Sequence, residues 1–139
     1  MATGKSVSVG EAFQMAALKK LPILYLVQDN EWDISAHASE TRAVDATHYA
    51  KGFGLKTYTI DGTDFTESYN CIREAFKEIR KNRTPILVHA KVPLLNHHTS
   101  GVRMEWYRDD LKEAKDRDPF PKLKAELLKN DFTNEELLK

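Results

Sequence analysis

Apolar residues alternate between helix-like and strand-like blocks through the first two-thirds of the chain. Residues 11–20 are good helix formers, with Ala12, Phe13, Ala16 and Ala17 on neighbouring turns. Ser8 and Glu11 have the spacing of a capping box, and Pro22 stops the helix. Ile23-Leu24-Tyr25-Leu26-Val27 is an unbroken apolar run that ends at Gln28-Asp29-Asn30. It predicts a strand buried on both faces, as in a parallel sheet. A polar loop follows, then a weaker helix over 44–51, ended by Gly52 and Gly54. Residues 56–60 alternate around Tyr58 and predict a second strand. Asp61-Gly62-Thr63-Asp64 is turn chemistry that leads into a helix over 66–81. Tyr69, Ile72, Phe76 and Ile79, three or four apart, predict the apolar stripe of its packed face. Asn82 and Pro85 close it, and 86–92 reads as the third strand.

After Pro93 the pattern changes. Residues 94–106 form a loop carrying His97, His98, Thr99, Ser100, Gly101 and Arg103. Short helices are expected over 109–115 and over 121–129, the latter with Leu123, Leu127 and Leu128 on one side. Thr133 and Glu136 form a second capping box that opens a last helix. The order of elements gives an α/β fold with a mainly parallel sheet, followed by C-terminal helices. A single domain is expected, with residues 1–93 as its α/β core and 94–139 as the histidine loop and helices. Three strands make a thin sheet whose edges something else must hide, so the chain reads as part of a larger body.

Composition narrows the class. The 139 residues carry 21 basic and 21 acidic side chains, a formal net charge of zero, so bulk charge draws the chain neither to nucleic acid nor to an anionic membrane. The longest apolar run is too short to span a bilayer, and residues 1–10 lack the apolar core of a signal peptide. Cys71 is the only cysteine, so neither an internal disulfide nor a cysteine zinc cluster is expected. It fits a reducing, intracellular setting and a small, buried or half-buried apolar role in its helix.

In an open parallel sheet ligands bind at the carboxyl ends of the strands. Asp29-Asn30-Glu31, Gly62-Thr63-Asp64 and Asn96-His97-His98-Thr99-Ser100 all fall there. The Asn30 oxygen and the Asp29 carboxylate suit a hard cation such as Mg²⁺, which keeps phosphate oxygens as further ligands. The same pair also reads as a plain polar turn, the commoner use of these residues. His97 and His98 suit proton transfer or anion binding, or are loop histidines with no duty. On an extended chain they point apart, which disfavours one shared metal. Thr99 and Ser100 are candidate phosphate acceptors or simply solvated hydroxyls. His48 is expected on a helix surface or interface, His89 as a satisfied core residue, and Trp32 and Trp106 as packing anchors.

These residues carry a resemblance. Glu11-Ala12, Ala16-Ala17 and Lys20-Leu21-Pro22 before an apolar strand look like the alpha subunits of thiamine-diphosphate-dependent 2-oxoacid dehydrogenases, the decarboxylating component. Val27-Gln28-Asp29-Asn30-Glu31-Trp32-Asp33-Ile34-Ser35 is similar to that family's Asn-Asn stretch. Ile60-Asp61-Gly62, His97-His98-Thr99, Tyr107-Arg108 and Asp118-Pro119 follow in the family's order. The resemblance covers nearly the whole chain and corresponds to the C-terminal part of such a subunit. It implies a thiamine-diphosphate-binding three-layer fold and oxidative decarboxylation of a pyruvate- or branched-chain-type 2-oxoacid, with acyl transfer to lipoyl groups. The paired histidines lean toward the branched-chain type. Residue by residue, Asn30 matches the side-chain Mg²⁺ ligand and Trp32 the aromatic whose backbone carbonyl also ligates the ion. Ile34 joins them in the cofactor site. His98 matches the histidine beside the cofactor that helps with substrate and acyl transfer. Thr99 matches the serine that mitochondrial members phosphorylate. The implied partners are a beta subunit, separate or fused, and a lipoyl acyltransferase core, in an oligomer of the bacterial cytoplasm or mitochondrial matrix.

The departures from the family pattern matter as much. The Gly-Asp-Gly that supplies a second Mg²⁺ ligand would fall at Met1, and the residues that hold the diphosphate lie further upstream still. Asp29 stands where the family has the first Asn, and Glu31 and Asp33 add negative charge that repels a diphosphate unless screened. Gly101-Val102-Arg103 does not match the segment that usually follows the histidine loop. Two readings follow. In one the chain is half of a cofactor site, completed by upstream residues and a beta partner, and inactive alone. In the other it is a truncated or diverged domain that serves assembly only.

Overall fold

A computed structural model describes residues 7–98 and 103–134. In chain order the elements are α1 (Val7–Leu18), β1 (Leu24–Asp29), β2 (Trp32–Asp33), β3 (Ala36–His37), α2 (Ala38–Thr41), α3 (Ala46–Gly52), β4 (Lys56–Asp61), α4 (Phe65–Asn82), β5 (Ile86–Lys91), a 3-10 turn (Met104–Trp106), α5 (Leu111–Asp116) and α6 (Pro119–Lys129). The expected α/β order holds. The hairpin β2–β3 and the short α2 lie within the stretch read as a featureless polar loop. α1 already includes Ser8, so the helix begins before the start expected at that residue. The last helix expected after Thr133 lies outside the described residues.

The sheet has three parallel strands in the order β1-β5-β4. β5 is therefore central, and Ile86, Leu87, Val88, His89 and Ala90 are all buried. Alternate residues of β5 face opposite ways, and each face has its own core. On one face Ile86, Val88 and Ala90 pack with Ile60 and with Ala75 and Ile79 of α4. On the other Leu87 packs with Phe13 of α1, Ala50 of α3 and Leu55, and Tyr25, Val27 and Phe53 close round them. The sheet is thus a middle layer between α4 and the pair α1 and α3.

β1 departs from expectation. Its apolar run predicts burial on both faces, yet Leu26 is 48% exposed. The strand is at the sheet edge, where only part of its outward face meets a helix, and hydropathy alone cannot tell an edge strand from a central one. α4 departs too. Tyr69 and Phe76 of the predicted stripe are 55% and 41% exposed, whereas Ala75 and Ile79 are buried and Cys71 packs beside them. Small side chains let the helix sit close to β4 and β5. The aromatic side chains are left on the outer rim, where Phe65 stacks on Tyr69 and Arg80 lies over Phe76.

The ends of the elements are set by local chemistry. α1 closes in a Schellman motif: Lys20 is left-handed at φ 49, and the Leu21 and Lys20 amides donate to the Ala16 and Ala17 carbonyls at 3.0 and 3.2 Å. Asp45 caps α3, Asp64 caps α4 and Asp118 caps α6. At Gly62 a Cβ would meet Val92 Cγ1 at 2.5 Å and the Lys91 carbonyl at 3.1 Å. The turn after β4 thus runs hard against the end of β5, and only glycine fits. Gly62→Ala is expected to cost about 1–3 kcal/mol in urea unfolding. On α4, Ile79→Ala is expected to cost about 2–5 kcal/mol, but Tyr69→Ser about 0.5 kcal/mol or less. The reverse order would contradict the assignment of the packed face.

Candidate functional site

The parallel register aligns the carboxyl ends of the strands, with Asp29 opposite Lys91 and Lys91 opposite Asp61. Directly after Asp29 the chain turns at Asn30 and Glu31 into the hairpin, which carries Trp32 on β2 and Ile34 at its tip. Two clusters fix it.

The first cluster centres on Asp29, which is buried. Its Oδ2 accepts from His89 Nε2 at 2.7 Å and from Arg42 Nη2 at 2.6 Å, and its Oδ1 accepts from the Glu31 amide at 3.0 Å. Burial alone pushes the Asp29 carboxyl up. The hydrogen bonds from His89, Arg42 and Glu31, with the Arg42 charge, outweigh it and hold the group far below the usual carboxylate range. Asp29 is therefore an occupied ion-pair partner and not the open metal ligand that its position suggests. His89 is the expected core residue at its Nε2. Its Nδ1 is buried with no hydrogen-bond partner, 4.0 Å from Asp45 Oδ2. Asp45 is also pushed up by burial, and hydrogen bonds from Thr47 and His48, with the pull of His89, again bring it well below the usual range. His48 is exposed on α3 as expected, with Nδ1 2.9 Å from Asp45 Oδ1.

The second cluster centres on Trp32, which is 7% exposed and is the packing anchor that was expected. Its Nε1 donates to Asp110 Oδ2 at 3.2 Å, and Arg108 Cζ lies 5.2 Å from its ring centre. Arg108 grips Asp110 through Nε at 2.7 Å and Nη2 at 2.9 Å, and donates from Nη1 to the Leu94 carbonyl at 2.8 Å. Those Arg108 bonds hold the Asp110 carboxyl below its ordinary value. Trp106, expected as a second anchor, is instead 73% exposed and lies under Arg103.

Between these anchors the hairpin keeps one edge out of its own ladder. The Ala38 amide donates to the Glu31 carbonyl at 2.8 Å, which makes Trp32 and His37 a non-hydrogen-bonded pair. The Trp32 amide and carbonyl therefore both face away from β3. The amide donates to Asn30 Oδ1 at 3.0 Å, which sets the Asn30 oxygen beside that same edge. An amide oxygen has a second lone pair free for another partner. Two neutral oxygens, Asn30 Oδ1 and the Trp32 carbonyl, thus share an edge. Mg²⁺ needs about six oxygens, several from water and phosphate, so these two fit part of its shell. Among the described residues no group of three or more His, Cys, Asp or Glu is placed to hold a metal. A cation here would depend on neutral protein oxygens and on ligands from elsewhere.

The remaining sites divide. Ile34 is exposed in the turn, at a left-handed φ of 59. A β-branched residue pays strain in that region, where a two-residue hairpin favours glycine. His98 is exposed, and among the described residues no hydrogen bond or ring contact joins it to the hairpin. Thr99, Ser100 and Gly101 lie outside the described residues. An open cleft of about 630 Å³ runs over Trp32, His37, Glu40, Trp106 and Asp109. Its acidic lining is unsuited to a diphosphate. No helix among the described residues is long and apolar enough to cross a membrane. Sequence reasoning missed Arg42, Asp45 and Asp110 as partners. Each lies far along the chain from the residue it holds or sits in a polar stretch with no period.

Because the folded-state Asp29 and Asp45 carboxyls lie below their unfolded values, their contribution to stability is complete above about pH 4 and falls away in more acid solution. Asp29→Ala leaves His89 buried without its partner and is expected to cost roughly 3 kcal/mol or more at neutral pH. Measured by urea unfolding, that deficit should shrink as the pH drops below 4. A deficit independent of pH would show that the Asp29 charge is not what stabilises the fold.

Comparisons with known proteins agree with one family. The sequence model of the dehydrogenase E1 component matches residues 2–139. The chain is 31% identical over 133 residues to the pyruvate dehydrogenase E1 component subunit alpha of Rickettsia felis, covering 94% of this chain and 41% of that protein. It is 33% identical over 130 residues to the mitochondrial 2-oxoisovalerate dehydrogenase subunit alpha of Caenorhabditis elegans, covering 90% and 30%. The 2-oxoisovalerate dehydrogenase subunit alpha of Bacillus subtilis is 27% identical over 130 residues, covering 91% and 39%. The chain thus spans less than half the length of the curated relatives it matches.

Proposed function

We propose that this chain, which belongs to the dehydrogenase E1 component family, forms the metal-holding edge of a thiamine-diphosphate site in the decarboxylating component of a 2-oxoacid dehydrogenase. The observation that supports this best is the pairing of Asn30 Oδ1 with a Trp32 carbonyl that the hairpin ladder does not use. These are the two atoms that the family resemblance matches to Mg²⁺ ligands. When bound, the cofactor supplies the carbanion chemistry of decarboxylation.

The chain's own residues position and polarise. Asn30 and Trp32 hold the cation that carries the diphosphate. Ile34, strained at the turn, offers an apolar side chain to the cofactor ring. His98 is the imidazole that would hold or pass a proton at the substrate and assist acyl transfer. Asp29 does not repel the diphosphate, because Arg42 and His89 already engage its charge. The substrate is a 2-oxoacid of the pyruvate or branched-chain type, and relatives of both types match over nearly the same residues. The remaining metal and diphosphate ligands come from upstream alpha residues, the activating partner is a beta subunit, and acyl groups pass to a lipoyl acyltransferase core. The compartment is the bacterial cytoplasm or the mitochondrial matrix; the Caenorhabditis elegans relative is named as mitochondrial.

Calorimetric titration with thiamine diphosphate and Mg²⁺ tests this reading. Binding is expected only when an upstream alpha segment and a beta subunit are added, and Asn30→Ala is expected to abolish it. Tight binding by the chain alone would overturn the shared site. No binding in any combination would favour the non-catalytic reading, a diverged domain kept for assembly, for which the carboxylates of Glu31 and Asp33 beside the hairpin speak.

A further inference from the structure

We infer that His89 is a positioning residue for the hairpin edge, acting through Asp29 to set the direction of the Asn30 oxygen and the Trp32 carbonyl. The inference rests on reading that edge as metal-holding, and adds a residue that the family resemblance does not assign.

His89 lies on the central strand, level with Val27 on one side and Thr59 on the other, and its side chain is 1% exposed. The core fixes its imidazole on both sides. Nε2 reaches Asp29 Oδ2 at 2.7 Å, and Asp29 Oδ1 takes the Glu31 amide at 3.0 Å. One carboxylate thus couples the central, buried strand of the sheet to Glu31, the residue that leads directly into β2. That residue needs holding. Glu31 has φ 63, a left-handed conformation that non-glycine residues adopt only when neighbours impose it. The direction of the Glu31 backbone then decides where the Trp32 amide meets Asn30 Oδ1.

An ionised carboxylate only accepts, so the Asp29 bond requires the proton on Nε2 of His89. Nδ1 contributes nothing to the hairpin: it is buried without a hydrogen-bond partner. A side chain that offers a donor only at the Nε2 position should therefore serve as well. Arg42 also binds Asp29 but is itself more exposed, with a side-chain exposure of 32%. It shares Asp29 Oδ2 with His89 from the solvent side. The Asp29 departure from the family's Asn thus comes with a built partner across the sheet, and is not decay of the site.

His89→Leu and His89→Gln separate positioning from packing. Leu fills the space but has no donor, and Gln restores a donor near the Nε2 position. In the chain with its upstream segment and beta subunit, His89→Leu is expected to weaken Mg²⁺-dependent thiamine diphosphate binding about 10–100-fold. His89→Gln is expected to recover most of it. In the chain alone, amide hydrogen exchange at Glu31 and Trp32 should speed at least tenfold in His89→Leu and return in His89→Gln, while the β5 amides stay protected. If the wild type binds no cofactor in any combination, the cofactor reading fails and the exchange data still decide the positioning role. Unchanged exchange at Glu31 and Trp32 in His89→Leu would overturn it. So would faster exchange that His89→Gln leaves uncorrected. Should His89→Leu fail to fold, His89→Gln with Asp29→Ala as the disrupted reference gives the same comparison.

Discussion

One buried carboxylate holds the candidate site to the fold. Asp29 ends an edge strand and takes donors from three places: the central strand, the segment after α2, and the backbone of the turn that follows it. A buried charge is tolerable only when its lone pairs are satisfied. Each of those donors is therefore required, and each ties a different element to the turn. Remove the carboxylate and the central histidine has no partner, Arg42 loses its anchor, and Glu31 loses the bond that supports a left-handed backbone.

The hairpin strand that follows is held in a different way. Trp32 packs its ring against His37, Tyr107 and Arg108 and passes its indole N–H to Asp110. That bond draws the segment after β5 back across the hairpin, and Arg108 closes it on the Leu94 carbonyl. Side chains are committed on both flanks of this backbone edge, and the oxygens along it, Asn30 Oδ1 and the Trp32 carbonyl, are neutral. Such an edge suits a hard cation whose remaining ligands are phosphates, and the chain then supplies geometry while other segments supply charge.

Much of this architecture was legible in the sequence, for identifiable reasons. The central strand announces itself as an apolar run between Pro85 and Pro93, and α4 by its caps and its period of three to four. What sequence could not settle was which face of α4 packs. Periodicity weights large residues, whereas here the close approach of helix to sheet selects Ala75 and Ile79 and leaves Tyr69 and Phe76 outside. The edge position of β1 was hidden for a related reason, since strand order is not encoded in strand hydropathy. At the site, the resemblance points to Asn30, Trp32 and Ile34; the structure places Trp32 and Ile34 on the hairpin and Asn30 in the link that leads into it. His98 lies on a separate exposed segment. Asp29 was read as a possible ligand because it follows a strand. Its partner His89 is 60 residues away, and no local pattern signals such a pair.

A metal-holding role requires that a cation sit on the hairpin edge. The most direct measurement is a crystal structure of the chain assembled with an upstream alpha segment and beta subunit, soaked with Mn²⁺ and thiamine diphosphate, with the metal located by anomalous scattering. A single peak is expected about 2.0–2.3 Å from both Asn30 Oδ1 and the Trp32 carbonyl oxygen, with diphosphate oxygens, water and an upstream alpha residue supplying the rest of the shell. A metal bound with diphosphate but away from both atoms would contradict it.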